Sequence, residues 1–125
     1  MTKEEALHSF WSGFEFPAFE ENSVPTGEFA PEFPYLTYQV STDSFGGEVT
    51  LTASMWDRGT NWRLLNSKTE EISRGIGLPG KVIQCDNGAI WIKRGSPFAQ
   101  SMGDETDPLI KRKYLNISAE FLTAD

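Results

Sequence analysis

The sequence predicts a single α+β domain in which two helices cover one face of an antiparallel sheet of about five strands, in the order α-ββ-α-βββ. Apolar and polar residues alternate over 48–57 and, within a predicted strand at 110–122, over 115–121, as in strands with one buried face. Two other segments carry apolar residues at helical spacing. Asn87 and Gly88, between two β-rich runs, are a hairpin turn signal. The 125 residues of the chain suffice for one core.

The first helix is predicted over residues 2–14. Thr2 and Glu5 have the spacing of a capping box, in which each side chain accepts a hydrogen bond from a free backbone N–H group. An apolar stripe follows at positions i, i+3, i+4 and i+7. Its members are Leu7, Phe10, Trp11 and Phe14.

Residues 15–34, "EFPAFEENSVPTGEFAPEFP", predict an extended acidic segment, which we call the arm. Its closely spaced prolines exclude a long helix or a central strand. Its four phenylalanines would be unfavourable in water, so we expect them to pack on this domain or on a neighbouring one. They are Phe16, Phe19, Phe29 and Phe33.

Two strands, 35–42 and 48–57, are predicted after the arm, and a helix follows the second of them. Met55 and Trp56 fall on opposite faces of that strand because side chains alternate along it. If the helices cover only the Met55 side, Trp56 needs another surface, and a neighbouring subunit is the candidate.

The C-terminal third predicts a hairpin, a long loop and a last strand. The hairpin is "KVIQCDNGAIWIK", and residues 95–109 are a loop that is acidic at its end. Loops of this length in compact domains are often functional. The last strand, 110–122, places Leu115 and Phe121 on one face.

Composition excludes several function classes. The net charge of -7 disfavours a general nucleic-acid binder, which normally has a basic face. No apolar run is long enough to span a bilayer, and a secretory signal is not expected. One cysteine, Cys85, provides neither a disulfide nor a multi-cysteine zinc site.

Catalytic residue types are sparse, so neither an enzyme nor a bound cofactor or metal is expected. His8 is the chain's one histidine and lies next to the apolar stripe of the first helix. "GIGLPG" follows a helix rather than a strand and lacks the lysine of a phosphate-binding loop. The acidic loops lack the ligand spacing of a calcium loop.

Basic residues cluster at Lys93-Arg94 and at 111–113, and two interpretations stay open. Lysines at a sheet edge protect it from aggregation. Alternatively, the basic residues contact the acidic loops of an identical neighbour, a head-to-tail arrangement that closes into a ring. In the strand, Lys111 and Lys113 point to one face and Arg112 to the other.

The chain resembles small neck and tail-completion proteins of tailed bacteriophages and prophages, most of all the tail-terminator family. The resemblance is carried by the size, the element order and "VTLTASMWDRGTNWRLLNSKTEEISRGIG", an alternating strand that leads through a polar corner into an amphipathic helix. The segments "HSFWSGFEFPAFEENSVP" and "GAIWIKRGSPFAQSMGDETDPLIKRKYLNISAEFLTAD" also look like phage proteins encoded near the head–tail junction.

The resemblance implies a structural virion protein. Tail terminators form a hexameric ring that caps the tail tube and docks the head completion or connector protein. The implied location is the tail neck of a virion assembled in the bacterial cytoplasm, with DNA only as passing cargo. A different head–tail joining or minor capsid protein is one alternative, and a small-ligand binding α+β module is another.

The predicted contact surfaces come from this sequence alone, because the family offers no invariant motif. They combine residues of the arm, the 95–109 loop and the two basic clusters with Trp56, which lies on the strand face opposite Met55. The candidates are Phe16, Phe19, Glu20, Glu21, Phe29, Phe33, Trp56, Lys93, Arg94, Phe98, Met102, Asp104, Glu105, Lys111, Arg112 and Lys113.

Overall fold

The computed structural model describes residues 1–125 and is α+β, as predicted. Two helices and a six-stranded sheet make up the fold. In chain order the elements are α1 Lys3–Ser12, β1 Ala18–Glu20, a 3₁₀ turn Gly27–Phe29, β2 Tyr35–Tyr38, β3 Gly47–Arg58, α2 Arg63–Ile76, β4 Lys81–Cys85, β5 Gly88–Gly103 and β6 Ile110–Thr123. Neither helix has the length and apolar character needed to cross a bilayer.

The sheet departs from the predicted five antiparallel strands. Its order is β1-β2-β3-β6-β5-β4, and β1 pairs in parallel with β2 while the other pairs are antiparallel. The additional strand comes from the arm. This strand lies at the sheet edge, where the preceding Pro17 is tolerated because no neighbouring strand needs the N–H group that proline lacks. The Pro17 carbonyl accepts from the Leu36 N–H.

The predicted loop at 95–109 is wrong for its first half, because β5 continues to Gly103. A register shift between Arg94 and Ala99 takes up the residues that resemble a loop in the sequence. The Asn116 side-chain amide donates to the Pro97 carbonyl at 3.2 Å and closes this bulge. The acidic loop is therefore only the connection between β5 and β6.

Both helices pack on the same face of the sheet, as predicted, and form one core with it. The core joins apolar residues of both helices to the inward residues of the central strands. Its largest fully buried side chains include Leu7, Trp11, Leu51, Met55, Leu65, Ile72, Ile117 and Phe121. The other face of the sheet carries no helix.

The capping box at the start of α1 is present. The Thr2 side chain accepts from the Glu5 N–H at 3.1 Å, and the Glu5 carboxylate accepts from the Thr2 N–H at 2.9 Å. We expect Thr2→Ala to lower the free energy of unfolding by about 1 kcal/mol, because a helix N–H group loses its partner. Urea denaturation measures this loss, and Thr2→Ser, which keeps the hydroxyl, should retain most of the stability.

Candidate protein-binding surface on the uncovered sheet face

One cross-strand row on the uncovered face carries large side chains. Tyr35 of β2 pairs with Trp56 of β3, Trp56 with Arg112 of β6, and Arg112 with Met102 of β5. Paired residues in antiparallel strands share a face, so these four side chains stand in line across four strands. We call Tyr35, Trp56, Arg112 and Met102 the aromatic row.

Trp56 is fixed in place by its neighbours. Its indole N–H donates to the Thr37 hydroxyl at 3.0 Å. Its ring stacks on Tyr35, with 6.3 Å between centroids and planes 18° apart. The side chain is half-buried, so part of the ring remains accessible on a face that no helix covers. The prediction that Trp56 lies opposite Met55 is confirmed by their burial in the strand.

Arg112 lies flat among aromatic rings. Its Cζ atom is 4.9 Å from the Trp56 centroid and 5.0 Å from the Tyr114 centroid, distances typical of cation–π contacts. Its Nε donates to the Ser54 hydroxyl at 2.9 Å. Arg112 forms no ion pair with a carboxylate of its own chain. The terminal nitrogens of the guanidinium group are therefore free to bind an anionic group of a partner.

A cavity of about 280 Å³ adjoins the row. Its floor is the sheet, and Glu21 and Val24 of the arm form part of its wall. The complete lining is Glu21, Val24, Tyr35, Thr37, Thr52, Ala53, Ser54, Trp56 and Arg112. Tryptophan, tyrosine, arginine and methionine are the residue types enriched in protein–protein interfaces. The concave shape and this composition suit a protein segment with one apolar anchor and a carboxylate.

Two phenylalanines near the ends of the arm, Phe19 and Phe33, extend this surface. The Phe33 ring lies 5.5 Å from the Tyr35 ring, and the Phe19 ring lies 6.4 Å from it. Phe29 is 75% exposed and contacts no other ring of the chain closely enough to stack. Phe16, in contrast, belongs to the core. Phe16 therefore offers almost no surface to a partner, because its ring is buried within its own chain.

Lys111 and Lys113 lie on the helix-covered face and are buried. Their amines stand 5.8 and 5.5 Å from the centroid of the Trp62 ring. The Lys113 amine also donates to the Ser101 hydroxyl at 2.7 Å, and burial lowers the pKa of Lys113. Strand alternation separates both lysines from Arg112, as predicted, but it places them on the helix-covered face, beside Trp62 at the start of α2. Arg112 is the cation that β6 carries on the uncovered face.

The other basic candidates are partly engaged within the chain. The Lys93 amine lies 4.3 Å from the centroid of the Trp91 ring and 3.7 Å from the Glu48 carboxylate. Arg94 donates to the Ser73 hydroxyl of α2 at 2.8 Å. These contacts tie β5 to its neighbours.

The acidic loop after β5 is closed on itself. The Asp104 carboxylate accepts from the Thr106 hydroxyl and from the N–H groups of Thr106 and Asp107, and these bonds lower its pKa. The pKa of Asp107 is lowered by the N–H of Leu109 and by Arg58. Both carboxylates thereby shape the loop.

Of the remaining predicted contact residues, some are held by contacts within the chain and others are exposed. The Glu20 carboxylate accepts from the Asn22 N–H at 3.0 Å and holds the turn after β1. Phe98 packs against the core. Glu105 and Met102 are exposed, and Met102 belongs to the aromatic row. Tyr35 and Tyr114 were not among the predicted contact residues, although the alternation in "PYLTY" and "KRKYL" places each on the face that the structure shows.

His8 lies apart from the row, on α1. Its Nδ1 is 2.7 Å from the Tyr38 hydroxyl, and its Nε2 is 3.3 Å from the Ser12 hydroxyl. A shallow depression of about 500 Å³ passes over it, with Glu4 and Glu5 at its side. No group of three or more histidine, cysteine, aspartate or glutamate side chains is placed to hold a metal ion.

Comparison with protein-family profiles, curated proteins and solved structures finds no match to this chain. The geometry of the uncovered face therefore carries the functional interpretation.

Proposed function

We propose that this chain is a structural assembly protein that binds another protein through its uncovered sheet face. The aromatic row carries the proposal: four large side chains from four strands, with a guanidinium group that no carboxylate of the chain neutralises. Interfaces gain most of their energy from a few such residues next to a pocket that excludes water.

We further propose the tail neck of a phage-like particle as the place of assembly. The resemblance to tail terminators supports a hexameric ring that caps the tail tube protein and docks the head completion or connector protein. The row and the exposed part of the arm are different surfaces, which suits head-to-tail contacts, and such contacts close into rings. A net charge of -7 suits a ring through which DNA passes as cargo without sticking.

Mixing the chain with assembled tail tubes tests this function. We expect rings at the tube end and an arrest of tube growth, because a terminator covers the surface on which the next tube subunit would add. Electron microscopy and native mass spectrometry measure both. A chain that stays monomeric alone and unbound after mixing contradicts the proposal. Binding to the connector but not to the tube would favour the alternative of a head–tail joining protein.

A matched pair of variants connects this test to the row. Trp56→Ala removes the centre of the row, whereas Trp91→Ala removes a tryptophan of the same uncovered face that lies outside it. We expect Trp56→Ala to weaken ring formation by about tenfold or more, the usual effect of truncating an interface hot spot. Trp91→Ala should assemble as the unmodified chain does. Equal effects of the two variants would remove the row from the interface.

A further inference from the structure

We propose that the segment received by the aromatic row is residues 28–32 of a second copy of this chain, with Phe29 entering the cavity beside Trp56 and a flanking glutamate binding Arg112. This inference rests on the proposed function, since it names the partner of the same surface. It also narrows the predicted charge pairing, which joined the basic residues to the acidic loops of a neighbour, to Arg112 and the arm.

The acidic side of the contact follows from which carboxylates are free. Asp104 and Asp107 are held by hydrogen bonds within their loop, and Glu20 by its own turn. Glu28 and Glu32 form no hydrogen bond or ion pair through their carboxylates in the chain, and both are exposed. A free carboxylate pairs with a partner at no loss of an existing contact. Glu15, Glu21 and Glu105 are also exposed and form no such bond, but Glu21 lines the cavity itself, and Glu15 and Glu105 have no exposed phenylalanine next to them. These differences favour Glu28 and Glu32.

The segment between these glutamates also supplies an apolar anchor. Phe29 lies between Glu28 and Glu32 and is 75% exposed. A phenylalanine ring at this exposure leaves apolar surface in water that a partner pocket would bury. Phe45 is equally exposed, at 75%, but the acidic residues on its two sides are engaged within the chain. Asp43 accepts from the Ser44 N–H, and Glu48 accepts from the Ser118 hydroxyl.

The basic residue of the contact is identified in the same way, as the cation of the uncovered face that no carboxylate of the chain binds. Lys111 and Lys113 are buried on the helix-covered face, and Arg58 is bonded to Asp107. Arg112 borders the cavity with its guanidinium group held flat by two rings and no carboxylate bound. A pre-oriented guanidinium group binds a carboxylate with little loss of side-chain freedom.

The occupant is a second copy rather than the same chain. In the folded chain Phe29 remains exposed, and Arg112 forms no ion pair with Glu28 or Glu32. The arm contributes Glu21 and Val24 to the cavity wall, but residues 28–32 are not part of the lining. The surface that gives the segment differs from the surface that receives it. Such a contact is heterologous, and repeating it generates a ring or an open chain of copies.

A charge-swap experiment tests the pairing, performed with the full chain both alone and with tail tubes. We expect Arg112→Glu to weaken self-association by about tenfold or more, and the pair E28K/E32K to do the same, because each leaves like charges facing each other. The triple variant R112E/E28K/E32K should regain assembly, since the charges are complementary again. Analytical ultracentrifugation measures the association constants.

Controls separate a lost contact from a lost fold. Phe29→Ser should reduce association while Phe45→Ser leaves it unchanged, although both side chains are 75% exposed. All variants should melt within a few degrees of the unmodified chain. The inference is overturned if Arg112→Glu assembles as well as the unmodified chain, or if the triple variant does not regain assembly. Either result leaves the proposed function standing. A wild-type chain that neither self-associates nor binds tubes overturns both.

Discussion

Replacing Phe121 with alanine is expected to lower the free energy of unfolding by about 3–5 kcal/mol, as truncation of a buried phenylalanine usually does. Phe121 is fully buried and lies on β6, which is bonded on both sides, to Gly47 of β3 and Ile90 of β5. Strands held on both sides cannot collapse into the space left by the ring. The residual cavity therefore adds its own destabilisation to the lost burial.

Thermal and urea denaturation check this prediction, with Leu122→Ala as the matched control. Leu122 is the next residue of β6, points to the uncovered face and is half-buried. We expect its truncation to remove about 1 kcal/mol or less, the typical effect outside the core. For Phe121→Ala the melting temperature should fall by about 10–20 °C. Equal losses for the two variants would contradict the assignment of the two faces.

Phe121 also illustrates what the sequence predicts well. In β6, buried and half-buried residues alternate along the whole strand, because one face meets two helices and the other does not. Apolar and polar residue types follow this alternation over 115–121, which makes the strand recognisable in the sequence. The same contrast makes β3 recognisable, and its predicted bounds differ from the observed ones by one residue at each end. The α1 stripe was equally clear, since a helix that packs on a sheet needs one apolar side.

Strands shaped by tertiary contacts were not predictable in this way. β1 has three residues, too few for a period, and it exists because β2 offers an edge for it. The middle of β5 contains glycine and proline, which are typical of loops. There a bulge absorbs Ser96 and Pro97, and the strand resumes its pairing at Ala99.

The aromatic row could be predicted only in part. Alternation places Trp56 and Arg112 on the uncovered face of their own strands. Alternation does not show that Trp56 and Arg112 are paired with each other. That pairing depends on the register between β3 and β6, which are far apart in the chain. Met102 joins the row only after the register shift in β5. The site thus depends on pairings that no local pattern encodes.

The hairpin between β4 and β5 shows a smaller difference. Its turn was predicted at Asn87-Gly88, but the closing pair is Cys85 and Gly88, so the turn residues are Asp86 and Asn87. Asn87 takes a positive φ of 62°, a conformation that asparagine tolerates better than most residues. Gly88 is instead the first residue of β5, where it meets the end of β6.

Gly88→Ala is expected to lower the free energy of unfolding by about 3 kcal/mol, because the added methyl group would need space that the backbone of β6 occupies. A Cβ atom at position 88 would lie 2.0 Å from the carbonyl oxygen of Leu122. The φ of 153° also disfavours a side chain at this position. Relief requires moving the backbone of β6, which Phe121 anchors in the core.

Gly59→Ala is the matched control for this backbone prediction. A Cβ atom at Gly59 would meet no heavy atom within 4 Å, and the residue has no positive φ. We therefore expect no loss and a gain of up to about 1 kcal/mol, because alanine restricts the unfolded chain. Guanidinium denaturation compares both variants, and opposite signs are the expected result. A Gly88→Ala chain as stable as the unmodified one would contradict the close approach of β5 to β6 at the pair of Gly88 and Thr123.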